Sequence, residues 1–261
     1  MEKTAERNIS ISGSGTASGG EYHEVKVNGS AKIHGDIQCE KFKCNGSSHV
    51  EGNVIAENVK INGSTHFEGN LDAKEMTING SADIDGNLHC NELKVQGSSS
   101  VKGHVTGKEI IVRGSASIKG NVSGEEVDIK GQVKIKSDCE AESFNARGNF
   151  KINGLLNAGS IDIELLRHCE AKEIGGETIS VKKTIDSSGF KKLIKFFISQ
   201  HSDQLTAEVI EGDHIYLEHT HAKVVRGNTI TIGPGCHVEK VEYKESLELD
   251  ENAKVGAQEK I

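Results

Sequence analysis

Tryptophan is absent, proline occurs once, and aromatic residues fill only 4 % of 261 positions. Hydrophobic residues reach 34 %. A compact globule of this length needs a thick core of large side chains, and the material for one is missing. A solenoid, whose core is a narrow axis built turn by turn, needs far less. Positive charge is also short, with 31 Lys and Arg against 39 Asp and Glu and a net charge of −8. Phosphate backbones are bound by basic stripes, so no nucleic-acid partner is expected. The amino terminus carries no apolar run, which argues against a secretion signal or a membrane span. No cysteine pair has CxxC spacing, and Cys39, Cys44, Cys90, Cys139, Cys169 and Cys236 match no zinc pattern. The first four stand where related positions hold Val, Ile, Leu, Ala or Gly, so they read as small buried hydrophobes in a reducing, cytoplasmic setting. The Asn-Gly-Ser triplets at Asn28, Asn45, Asn62 and Asn79 then read as turns, not glycosylation sites.

Glycine is what the chain has in quantity: 30 residues, half of them in two regular series. Gly29, Gly46, Gly63, Gly80, Gly97, Gly114, Gly131 and Gly148 recur every 17 residues without a break. A second series trails by six, from Gly35 to Gly120 and again at Gly154, missing only at Ser137. So strict a period makes the chain a stack of near-identical turns.

Numbering from the first glycine series separates inside from outside. Four positions before it stand Val25, Phe42, Val59, Met76, Leu93, Ile110, Val127 and Phe144; two before it, Val27, Cys44, Ile61, Ile78 and their successors. Four after it stand Ile33, Val50, Phe67, Ile84, Val101, Ile118, Ile135 and Ile152; eight after it, Ile37, Val54, Leu71, Leu88, Val105, Val122, Cys139 and Leu156. Smaller residues fill two further columns, one with Ala31, Ser48 and Thr65, the other with Cys39, Ala56 and Ala73. Inward residues therefore come in pairs spaced by two, which is a strand. Between pairs the phase slips, which is a corner. Three short strands and three corners per 17 residues describe one turn of a triangular parallel β-helix. The corner glycines are expected to supply positive φ, and stacked Asn and Ser to form polar ladders along the edge.

The expected layout is residues 1–20 as a flexible segment with a partial first turn, Ser12–Gly20 forming a loose loop on it. Residues 21–183 form the β-helix, 184–204 a linker and amphipathic helix, and 205–261 an irregular β region ending in a polar tail. After Gly148 the register falters. Cys169-Glu-Ala matches Cys139-Glu-Ala four residues early and reads as a shortened turn. In the helix, Phe190, Leu193, Ile194, Phe197 and Ile198 share one face, with Lys191, Lys192 and Lys195 on the flank. It fits either a peripheral membrane contact or a helix packed on the solenoid.

His49 and His66 share an outward column on adjacent turns, and His214, His219 and His221 lie close in sequence. Neither group is backed by further ligands at metal spacing, so no metal, cofactor or catalytic residue is assigned. Glycine-punctuated turns such as Val59-Lys-Ile-Asn-Gly-Ser-Thr-His-Phe-Glu-Gly-Asn-Leu-Asp-Ala resemble those of the bactofilins, bacterial polymer-forming cytoskeletal proteins. The resemblance spans roughly residues 22–160. It implies a right-handed β-helix that polymerises end to end, without nucleotide, into filaments supporting cell shape or motility. It also implies partnership with itself or a related bactofilin, in the cytoplasm or at the membrane. Two alternatives remain: a left-handed hexapeptide-type acyltransferase, and an adaptor whose carboxy-terminal region blocks polymerisation.

Overall fold

The computed structural model describes residues 7–184 and 203–261. All regular elements among them are β-strands, and these pair in parallel. The chain divides into two compact units, Met1–Ser137 and Asp138–Ile261. The expected helix at 190–200 lies outside the described residues.

In the first unit each regular turn holds a four-residue and an eight-residue strand. Ser47–Val50 and Val54–Ile61 are followed by Ser64–Phe67 and Leu71–Ile78. Phe42 pairs with Val59, Val59 with Met76, Met76 with Leu93, Leu93 with Ile110 and Ile110 with Val127. The predicted inward columns are buried: Val59, Ile61 and Phe67 are 0 % exposed. Their alternation with polar neighbours drives the strands, since one face must leave water and the other need not. Inside, the rings of Phe42 and Phe67 meet at 5.5 Å. Two of the buried polar side chains there satisfy each other, Ser48 and Thr65 sharing a 2.9 Å hydroxyl bond.

Two local expectations change. The third corner does not interrupt the chain: it is a bend inside the eight-residue strand, where Cys39 pairs with Ala56 and Lys41 with Asn58 while Glu40 and Glu57 fall out of the ladder. The Gly/Ser-rich stretch before Tyr22 is not a loose loop. Ser14–Ser18 pairs in register with Ser30–His34, and the partner strands continue after a shift at Gly19. Backbone hydrogen bonding holds this stretch although few of its side chains are buried.

The second unit keeps the coil with variable turn lengths. Phe144 pairs with Ile161, Ile161 with Ile179, Ile179 with Ile215, Ile215 with Ile230 and Ile230 with Leu247, giving separations of 17, 18, 36, 15 and 17. The separation of 36 means that the segment containing 185–202 is inserted between consecutive turns. Within 205–261, expected as an irregular region, Leu205–Leu217 thus pairs with Cys169–Lys183, and the later strands follow turn on turn. The 15-residue turn arises because the 13-residue strand Leu205–Leu217 needs only Glu218 and His219 to reach Thr220. His219 takes the bend at φ 44°. The shortened turn at Cys169 is also corrected. Ile174 pairs with Leu156, which itself pairs with Cys139, so the matching Cys-Glu-Ala tripeptides occupy different columns and this turn is lengthened.

All six cysteines are free and buried. Burial pushes the thiols of Cys39, Cys90 and Cys139 up to about 12, and those of Cys169 and Cys236 up to about 11. Thiolate is the reactive form. A chromogenic disulfide reagent at pH 8 is therefore expected to find almost no thiol in the native chain and six after denaturation. Rapid labelling of native protein would contradict the burial.

Candidate functional surfaces

The first-series glycines of unit one sit where consecutive turns touch. A Cβ at Gly46, Gly63, Gly80, Gly97, Gly114 or Gly131 would lie well under 3.0 Å from the carbonyl oxygen of the series glycine one turn earlier. Positive φ, the expected reason, is absent at these positions and occurs only at Gly20, Gly35 and Gly235 among the glycines described. The column is glycine because backbone passes over backbone there, leaving no room for a methyl group.

Beside that column runs a directional amide ladder. Asn45 Nδ2 donates to Asn28 Oδ1 at 2.7 Å, Asn62 to Asn45 at 2.8 Å, and Asn79 to Asn62 at 2.7 Å. Each inner side chain both donates and accepts, so the chain of amides is satisfied along its length. A second ladder escaped the sequence reading. The backbone N–H of Asn53 donates to Asp36 Oδ1 at 2.7 Å, and the same bond recurs from Asn70 to Asn53, Asn87 to Asn70 and His104 to Asn87. It ends with Asn121 N–H donating to His104 Nδ1 at 3.0 Å. Its signal was the 17-residue spacing of Asn53, Asn70, Asn87 and Asn121, interrupted by an imidazole that accepts equally well.

The outward histidines come together only in part. The rings of His49 and His66 lie 4.9 Å apart. Ligand atoms of His49, Glu51 and Glu68 fall within 4.8 Å of one another. These groups already have partners: His49 meets Glu68 at 2.7 Å, while Glu51 accepts from Lys32 at 2.6 Å and from His34 at 2.5 Å. Hydrogen bonds from Lys32, then His34, hold the Glu51 carboxyl down at about 2. In the second unit His221 stacks on His237 at 5.7 Å, not on His219 or His214. His219 is held in its turn under Gly235, where burial lowers its pKa.

Concavities follow the columns of small side chains. A furrow of about 880 Å³ runs over Cys39, Ala56 and Ala73, and one of about 550 Å³ over Ala171, Ala207 and Ala222. Both are open to solvent and rimmed by Lys and Glu. Phe190, Lys191, Lys192, Leu193, Ile194, Lys195 and Phe197, assigned to a membrane or capping helix, lie outside the described residues. No helix among the described residues is long and apolar enough to cross a membrane.

Two strand edges lack a partner on one side among the described residues. Asn8–Ile11 pairs only with Glu24–Val27, and Ser14–Ser18 only with Ser30–His34. These segments carry no charge. In unit two Lys254–Lys260 pairs only with His237–Tyr243, and it includes Lys254, Glu259 and Lys260. An uncharged edge invites strand addition, whereas charges on an edge discourage it.

The family model described as "Bactofilin: Polymer-forming cytoskeletal" matches residues 2–89 and 77–172. Two uncharacterized proteins of Bacillus subtilis (strain 168) are similar. YhbF is 39 % identical over 109 residues, covering 41 % of this chain and 42 % of YhbF. YhbE is 38 % identical over 110 residues, covering 42 % of this chain and 44 % of YhbE. The chain thus matches less than half the length of these relatives. No solved structure matches.

Proposed function

Since this chain belongs to the bactofilin family of polymer-forming cytoskeletal proteins, we propose that it self-assembles end to end into a filamentous scaffold. The observation that carries the reading is the uncharged edge of Asn8–Ile11 and Ser14–Ser18. Its N–H and C=O groups that lack a partner among the described residues gain hydrogen bonds, and its half-buried Ile9 and Ile11 lose water, when another strand docks. A second copy, or a related bactofilin, offers strands of the right spacing. The contact is formed by backbone and packing, so no nucleotide is required.

Negative-stain microscopy of purified protein without nucleotide is expected to show filaments. Ile9→Lys combined with Ile11→Lys places two cations at the edge and is expected to abolish them without altering the β-sheet circular dichroism. Absence of filaments from the unaltered chain would defeat the assembly reading. Intact filaments in the double variant would remove this edge from it.

A further inference from the structure

One outward column of unit one is sorted by charge. Five positions after Gly46, Gly63, Gly80, Gly97, Gly114 and Gly131 stand Glu51, Glu68, Asp85, Lys102, Lys119 and Lys136. The backbone N–H of each donates to the preceding turn, from Glu51 to Ile33 O through Lys136 to Ile118 O, so the six are stacked in order. Successive side chains project about 4.8 Å apart. Like charges directly opposite one another destabilise a ladder, and alternation of sign would have relieved them. Within the chain the relief is partial. Lys102 reaches Asp85 at 2.9 Å at the junction, and imidazoles and Lys32 flank the acids. Lys119 and Lys136 are exposed and have no ion-pair partner among the described residues.

We propose that this face binds the same face of a second copy, side by side and antiparallel. A two-fold axis lying in the interface, perpendicular to the stack and passing between Asp85 and Lys102, reverses row order while keeping each column opposite itself. Asp85 then faces Lys102, Glu68 faces Lys119 and Glu51 faces Lys136. Every acid row meets a basic row, and the contact is isologous. Next to it on the same strand face stand His49, His66, Asp83, Ser100, Ser117 and Lys134, and beyond them Ser47, Ser64, Ser81, Ser98, Ser115 and Gln132, which are short and uncharged. The six rows span only about 24 Å at the inter-strand spacing. Such a patch is below the size of a standard stable interface. Pairing is therefore weak for one chain and accumulates when many copies are held in line. It does not depend on which ends meet.

The test is chemical. Ser47 and Gln132 stand at opposite ends of the serine column, and the native cysteines are buried. Full-length Ser47→Cys and Gln132→Cys chains, mixed and treated with a short bis-maleimide, are expected to give a cross-linked dimer that neither variant gives alone. Adding Lys119→Glu to both chains should reduce the dimer to background, and Glu68→Lys on the same chains should restore it. Cross-linking of Ser47→Cys alone, no product from the mixture, or failure of the double exchange to restore it would each overturn the pairing. Circular dichroism of every variant reports whether the fold is kept. Covalent trapping collects even transient pairs, and repeating the mixture in the Ile9→Lys, Ile11→Lys background reads the lateral contact without the end contact, so failure of the end contact and failure of the lateral one are separable.

Discussion

Gly63→Ala is expected to destabilise the first unit by about 3 kcal/mol, the upper range for forcing extra volume into a packed site. Gly13→Ala in the same column should cost almost nothing. At Gly63 the added methyl would meet the carbonyl groups of Gly46 and Asn45. These atoms are backbone, and they cannot swing aside as a side chain would. Ser64 N–H donates to Gly46 O at 2.8 Å, so moving that carbonyl breaks the ladder that holds the turns together. The strain then passes to the next turn, because Gly80 packs on Gly63 O in the same way. At Gly13 a Cβ meets nothing within 4 Å. Denaturant midpoints for the two variants decide the matter. Equal costs would mean that something other than the close approach of turns selects glycine in this column.

That contrast shows where the sequence was readable. The inside of the coil was legible because 17 residues recur without insertion, and the main inward columns keep one chemical character: Ile, Val or Phe where Ile84, Val50 and Phe67 stand. The role of the glycines was not. A missing side chain can reflect unusual φ or lack of space, and both leave the same letter. The irregular turns were harder for a related reason. Cys169-Glu-Ala matched Cys139-Glu-Ala as text, but turn length is set by how many linkers a coil uses, and residue identity does not record that. The second ladder was half legible. Its asparagines repeat at the common spacing, yet Asp36 and His104 serve in the same capacity, as acceptors, with different letters. The charge-sorted column was visible throughout as six ordinary surface residues. Only the stacking of rows gives their order along one face a meaning.

Ile84→Asp should have the larger effect of the remaining substitutions, costing about 5 kcal/mol or more from lost burial and the desolvation of a carboxylate. Ile84 is 1 % exposed and stacks between Phe67 and Val101. A carboxylate there finds apolar side chains above and below, and its backbone neighbours already spend their hydrogen bonds on the ladder. Neutralising it by protonation reduces the penalty but not the loss of packing. A single domain has about 5–15 kcal/mol of stability in total, so a compact globule would face global unfolding. A solenoid responds differently, because each turn contacts only its neighbours. Hydrogen exchange is therefore expected to show protection lost first in Leu71–Ile78, Ser81–Ile84 and Leu88–Val95, with strands farther along the unit still protected. Asp83→Ala, one residue away on the exposed side, should change stability by no more than about 0.5 kcal/mol. Uniform loss of protection across the first unit would show that its turns fold as one cooperative block. Similar costs at Ile84 and Asp83 would instead refute the assignment of inside and outside on which every surface described above depends.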